Sequence, residues 1–396
     1  MKLTQIGDAV LKVNSWNPIR DGYDQLIHYI DLSSVDQERK TISPNPPIVA
    51  REAPSRARQL IQMDDILVST VRPNLNGVAV VDKSLDGATA STGFCVLRSD
   101  KSKLDKSYLF HWVKSPEFIS DMVRKATGAS YPAVSDRIIW ESVIPLPPIA
   151  TQKHIAAILD QAEELRSKRR SAIALLDELG RSVFLEMFGD PVTNLQQWDK
   201  CKLTDLCDAS DGIKCGPFGT QLGRGEYQES GIPLWGIKHV NAHFKILTSE
   251  FLTEQKAKEL DTYSLKSGDI VMTRKGTIGN CAVFPKSFET GIMHSDLLRV
   301  RVSQAKTNIN FLSHQLHHSR DIEHQISLIS GGAIMAGINV TKLKDILVLN
   351  PPLTLQQQFA KRMESIETLK ATHRQSLAKL DTLFASLQHR AFRGEL

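Results

Sequence analysis

The apolar positions of this chain fall into a period near 3.5 in two long stretches. In the first, Ile158, Ala162, Leu165, Arg169, Ala172, Leu176, Leu179 and Val183 alternate steps of four and three, and only Arg169 is polar. That is the seam of a coiled coil. In the second, the same steps pick out Arg362, Ile366, Leu369, His373, Ser376, Leu380, Leu383 and Leu387, a weaker stripe flanked by Phe359, Met363 and Leu377. Each stretch follows a Pro-Pro pair, at 147–148 and at 351–352, and contains no further proline. Proline is tolerated only in a helix's first turn, so the pattern predicts one long helix over Pro147–Phe188 and another from Pro351 onward. The helix-to-helix or partner interface is expected at Ile158, Leu165, Leu176, Leu179, Val183, Ile366, Leu369, Leu380, Leu383 and Leu387.

The two stretches are copies. At a constant offset of 204, Gln152 falls on Gln356, Ala156 on Ala360, Leu176-Asp177 on Leu380-Asp381, Ser182 on Ser386 and Phe188 on Phe392. Repeats of this length set the architecture of a chain. The copying extends upstream: Lys2-Leu3-Thr4 matches Lys202-Leu203-Thr204, with Asp8 on Asp208 and Ala9 on Ala209. Further on, Asp65-Ile66 matches Asp269-Ile270, Ala79-Val80 matches Ala282-Val283, and Gly128-Ala129 matches Gly332-Ala333. The layout is a variable domain over 1–146, a helix over 147–190, a second variable domain over 191–350 and a second helix over 351–396. DILVS at Asp65, DIVMT at Asp269, Gly77–Val81 and Cys281–Phe284 read as buried strands. Lys106–Lys125 and Ile309–Ile329 read as helices, and the proline-rich 32–58 as an ordered loop. The fold class is therefore α+β: two α/β domains separated by two long helices, in a pseudo-twofold internal repeat. Connectivity requires the helices to run antiparallel if their seams pair, which brings the C-terminus back to the first domain and makes the fold nearly circular. Roughly 35 helical residues would give a strut on the order of 50 Å.

With 396 residues and 41% hydrophobic content, the chain can bury more than one core. No apolar run approaches the ~20 residues of a membrane span. The polar start lacks the features of a secretion signal, so a cytoplasmic location is expected. The five cysteines include no C-x-x-C pair and are expected to be reduced and structural. Net charge is +5, and no segment is a strongly basic module. Charge permits nucleic-acid binding without indicating it.

Catalytic motifs are weak. Asn350-Pro351-Pro352-Leu353 lacks the aromatic residue of amino-methyltransferases, and the first copy reads Leu146-Pro147-Pro148-Ile149. The glycine-rich 212–225 lacks the Gly-Lys-Ser/Thr ending of a phosphate loop. His314, His317 and His318 lack a carboxylate or cysteine at metal-site spacing and are read as a helix face. No catalytic residue and no metal ligand is assigned to this chain.

Three segments carry a resemblance: GIKCGPFGTQLGRGEYQESGIPLWGI from Gly212, GDIVMTRKGTIGNCAVFP from Gly268 and PLPPIATQKHI from Pro145. On these the chain resembles the specificity subunits of type I restriction-modification enzymes, over its whole length. The first half departs from the pattern, with Val71-Arg72-Pro73-Asn74 in place of Arg274-Lys275-Gly276-Thr277. The resemblance implies that each variable domain is a target recognition domain reading one half of a split site in double-stranded DNA. It also implies that the helices space the readers and dock two methyltransferase subunits. The chain itself would be no enzyme and bind no cofactor. S-adenosylmethionine, ATP and magnesium would belong to the methyltransferase and restriction-translocase partners.

Base discrimination needs paired donors and acceptors on loops over a rigid frame. The candidates are Arg72, Asn74 and Asn76, with Arg56 and Arg58 behind them, in the first domain. In the second they are Arg274, Lys275 and Thr277 after a strand, with Lys214, Gln221, Lys238 and Asn241. The rival reading is a non-catalytic coiled-coil adaptor that binds only proteins.

Overall fold

A computed structural model describes residues 1–207, 212–288, 290–331 and 337–396. The chain forms two compact units, Met1–Ser171 with Arg374–Leu396, and Ala172–His373. Each unit takes one variable domain and parts of both long helices, Ile149–Phe188 and Leu353–Arg393. The helices are thus shared rather than standing as separate segments.

Within each variable domain one sheet has the same strand order and directions. In the first it runs Val78–Val80, Ile66–Ser69, Phe94–Ser99, Val10–Leu11, and in the second Cys281–Val283, Ile270–Thr273, Leu297–Val300, Ile213–Cys215, all antiparallel. Central strands rich in Ile, Val and Leu are buried on both faces, as the unbroken apolar runs predict. A second sheet in each contains a parallel pair, Tyr29–Ile30 with Thr89–Ser91 and Ile232–Trp235 with Gly291–Met293. The expected loop 32–58 holds four short strands or strand starts, Val35–Asp36, Thr41–Ile42, Ile48–Val49 and Ala57–Leu60. Their pairings of two or three residues carry no readable period, which is why the segment reads as irregular.

Each expected single helix is two. Lys106–Val113 and Pro116–Lys125 are separated at Ser115, which caps the second through Phe118 N–H (3.2 Å), and Pro116 cannot donate to a continuing helix. Ile309–His318 and Arg320–Ile329 break at Ser319.

The repeat is exact in one place where the letters mislead. Leu3 pairs with Pro145 and Lys200 with Leu349, and Ile6 and Leu203 donate to the carbonyls of Ser142 and Ile346. Leu3 therefore corresponds to Lys200, an offset of 197, and not to Leu203. Burial agrees, since Leu3 is 62% exposed while Ile6 and Leu203 are fully buried. The shared Lys-Leu-Thr is out of register by three residues. The matches at Asp208, Ala209 and Gly332-Ala333 lie outside the described residues.

The long helices run antiparallel within each unit. In the second, Asp177 meets Lys370 (2.5 Å) and Glu186 meets Arg362 (3.7 Å); in the first, Arg166 bonds Asp381 (2.7 Å). The leucine pattern places the seam in part: Ala162 and Ile366, both on the expected stripe, are buried, while elsewhere the buried position lies one residue further along. Leu165, Leu179, Leu369 and Leu383 are 45%, 46%, 52% and 49% exposed, and Ile158, Leu176, Val183, Leu380 and Leu387 are half-buried. One residue on from the stripe, Leu159, Gly180, Phe184 and Phe384 are inside. A phenylalanine ring offers more area than a leucine, so the helices turn Phe184 and Phe384 inward. Gly180 lets Met363 approach so closely that a Cβ there would stand 3.0 Å from the methionine methyl.

Aromatic knots fasten the variable domains to these helices. Tyr108 and Trp112 meet the Phe392 ring edge-on at 5.3 and 4.9 Å. In the second unit Phe311 packs on Phe184 and Phe188 at 5.8 and 4.8 Å. The C-terminal segment thus ends in the first variable domain's core, and Gly394 lies against Met1.

Candidate nucleic-acid interface

An aspartate–arginine pair and a buried glutamine hold each variable domain in shape, and both recur. Asp65 and Asp269, nearly fully buried, receive Arg98 and Arg301 through two bonds each, at 2.8 and 2.7 Å in the first and 2.7 and 2.7 Å in the second. Such forked pairs fix geometry as well as charge. The Asp65 carboxylate raises the Arg98 pKa further above its ordinary value. Gln152 and Gln356, both fully buried at the helix starts, tie the readers to the helices. Gln152 accepts from Asp105 N–H (2.9 Å) and donates to the carbonyls of Lys103 and Pro147 (2.8 Å each). Gln356 accepts from Asn308 N–H (2.8 Å) and Thr307 Oγ1 (3.0 Å), and donates to Pro351 O (2.8 Å) and Asn350 Oδ1 (3.0 Å).

The loops beyond the central strands differ. In the second reader, Gly276 and Gly279 take φ of +69° and +87°, which turns the chain sharply after Thr273. Arg274 spends its Nε on Ile338 O (3.1 Å), Lys275 pairs with Asp296 (3.2 Å), and the hydroxyl of Thr277 donates to Asn241 Oδ1 (2.9 Å). Asn280 donates to the same oxygen (3.1 Å), so Asn241, Thr277 and Asn280 form one polar surface, with exposed Lys238 on the helix that carries Asn241. Sequence reasoning missed Asn280 and Asp296. Lys214 and Gln221 gather elsewhere, at Tyr263: the Lys214 ammonium lies 5.2 Å from its ring and its hydroxyl donates to Gln221 Oε1 (3.0 Å).

In the first reader Arg72 and Asn74 are exposed on the turn after Ser69. Asn76 is turned inward, donating to Val113 O (3.3 Å), so its amide shapes the turn instead of facing a ligand. Arg58 is half-buried and bonds the neighbouring Ala57 O (2.8 Å), whereas Arg56 is exposed. Thr70 N–H and Arg56 O both bond the turn at Thr92-Gly93, which sets the two segments side by side. Tyr131 is a ring that no motif singles out. It is 68% exposed, with the Arg72 guanidinium 4.7 Å from its centre.

His314 stacks on Phe184 of the aromatic knot at 5.1 Å, His318 meets His314 tilted at 4.5 Å, and His317 lies edge-on to His318 at 4.4 Å. Burial, with His317 and Arg181 nearby, pushes His314 down to about 4. Among the described residues no cluster of three or more His, Cys, Asp or Glu is placed to hold a metal ion, and no helix is long and apolar enough to cross a membrane.

Known proteins share this arrangement. The type I restriction modification DNA specificity domain matches residues 41–174 and 196–382. The chain is 24% identical to the type I restriction enzyme MjaVIII specificity subunit of Methanocaldococcus jannaschii, covering 85% of this chain and 80% of that one. It is also 24% identical to the EcoKI specificity subunit of Escherichia coli, covering 98% and 86%. Among solved structures, a chain from a study of assembly and conformational transition in the type I R-M system aligns over 100% of this chain and 98% of its own, at TM-score 0.59 and 24% identity. The type I restriction-modification S subunit from M. genitalium aligns over 99% and 96%, at 0.58 and 15%. Two readers of one topology on shared antiparallel helices, with the specificity-domain pattern matched in both halves, make this chain a member of the type I restriction-modification DNA specificity family.

Proposed function

We propose that this chain is the reading subunit of a type I restriction-modification complex. Each reader contacts one half of a bipartite double-stranded DNA target, and partner subunits methylate adenine and cut unmodified DNA. The chain itself makes and breaks no covalent bond; S-adenosylmethionine, ATP and magnesium act in the partners. The observation that carries this reading is a frame kept twice, through Asp65–Arg98 with Asp269–Arg301 and Gln152 with Gln356, under loops that differ. A duplicated frame with divergent polar loops suits one task on two sequences.

The exposed leucines support a docking role for the helices. Leu165 and Leu369, and Leu179 and Leu383, are related by the 204-residue offset and left out of the seam. Matched apolar sites on a repeated helix pair suit two copies of one partner, the methyltransferase subunit.

The test is a domain exchange. Residues 191–350 are replaced by the equivalent region of a relative, the complex is assembled, and methylated adenines are mapped. One half-site should change and the other persist. A change in both would show that the readers do not act separately, and no methylation-linked DNA binding at all would favour a protein-only adaptor.

A further inference from the structure

The turn after Ser69 presents an arginine that the first reader does not use for its own folding. The Arg72 side chain is exposed, and among the described residues it engages no carboxylate or carbonyl of the protein. Its guanidinium stands 4.7 Å from the centre of the Tyr131 ring. Both residues are placed by backbone. Thr127 and Ala133 exchange two hydrogen bonds of 2.9 Å to make a small hairpin, Val71 bridges to Ala133, and Arg72 N–H donates to Pro132 O at 2.7 Å. Gly128, at φ +101°, turns the hairpin, and a Cβ there would strike Tyr131 O at 2.9 Å.

Two features set this pair apart from ordinary surface residues. Tyr131 is 68% exposed, so its ring contributes little to a core. Arg72 takes φ +50° and ψ +61°, a left-handed conformation that costs a residue with a side chain, and Pro73 follows it. Strain of this kind persists where the surroundings impose it, and it collects at ligand-contacting positions.

A guanidinium held against a ring face keeps its edge free. That edge carries parallel N–H donors spaced to meet the O6 and N7 acceptors of guanine in the major groove, which neither a lysine nor a freely rotating arginine presents as well. We propose that the Arg72–Tyr131 stack is a base-reading element that selects a guanine in the half-site of the first reader. The inference rests on the DNA-reading function above. Tyr131 is a positioning residue, and Arg72 makes the contact.

The experiment uses the assembled complex with its methyltransferase subunits, wild type and carrying Arg72→Lys, Tyr131→Ala or Tyr131→Phe. Methylated adenines are mapped genome-wide, and binding is competed with duplexes substituted one base at a time. Arg72→Lys keeps the charge and loses the fork. It should relax one guanine position of one half-site by about 5- to 150-fold, leaving the other half-site as it was. Tyr131→Ala should relax the same position more weakly, and Tyr131→Phe, which keeps the ring, should behave as wild type. The unchanged half-site reports folded, assembled protein. Weaker binding with an unaltered consensus in Arg72→Lys would make Arg72 a phosphate contact and overturn the inference while leaving the reading function intact. A wild-type complex that methylates no bipartite site would overturn the reading function and this inference with it.

Discussion

Replacing Gln356 by alanine should loosen the second reader from its helix. The side chain is fully buried and makes four bonds, two of them to backbone groups, Asn308 N–H and Pro351 O, at 2.8 Å each. Asn308 is itself the cap of the helix Ile309–His318, its Oδ1 accepting from Asn310 N–H at 3.0 Å and Phe311 N–H at 3.2 Å. Leaving a buried donor or acceptor unpaired costs ~1–3 kcal/mol, so two stranded backbone groups amount to about 4 kcal/mol. A chain of two units need not unfold in one step, so the assay is amide hydrogen exchange at Asn308–Leu312. At ~1.4 kcal/mol per decade, protection there should fall about a thousandfold. Gln356→Met, which fills the space without the bonds, should fall nearly as far, whereas the exposed neighbour in Gln357→Ala should change little. A loss under tenfold in Gln356→Ala would refute the claim that these bonds hold the reader.

Other outcomes follow from the same geometry. Leu179→Asp with Leu383→Asp should alter stability by less than about 1 kcal/mol, because both side chains are near half-exposed, yet weaken co-purification with the methyltransferase subunit; full assembly would remove these leucines from the docking face. Asp65→Ala strands Arg98 and should cost about 3 kcal/mol in the first reader alone, degrading recognition of one half-site in the methylation map. The His314 pKa lies near 4, below the ordinary ~6.5 of an unfolded chain, so acid favours the unfolded state. Stability of the second reader should therefore be intact above pH ~6.5 and fall towards pH 4, by about 3 kcal/mol from His314 and further from His318, which burial pushes down to about 3; His314→Phe, measured by denaturant titration at pH 7 and 4.5, should reduce that dependence without abolishing it.

The frame was legible because duplication marks residues that cannot vary independently. Gln152 and Gln356 stood out as a matched pair, and their buried bonds explain the match. Asp65 and Asp269 stood out likewise, though their arginine partners lie about 32 residues on and at offsets that differ by one, so no local pattern joined them. The helix seam was legible at Ala162 and Ile366 but displaced by one residue at Phe184 and Phe384, whose rings leucine spacing does not weigh. The Lys-Leu-Thr match misled for a different reason: strand register depends on the partner strand, which a short identity does not show. Loop chemistry was legible only as residue type. Asn76 and Arg274 looked free, but a carbonyl elsewhere in the fold claims each of them, and Tyr131 gains meaning only from the arginine opposite.

The two units make different demands on a growing chain. The second, Ala172–His373, is continuous, so it can close as soon as it leaves the ribosome. The first needs residues 374–396: Gln388 donates to His111 O across 277 positions, and Phe392 lies on Tyr108. At ~5–20 residues per second, the Tyr108 pocket stays open for roughly 15 s to a minute while the whole second unit is made and folds. The N-terminal reader is thus the last to finish, and a ribosome that stalls late releases a chain with one reader built and the other exposing its core.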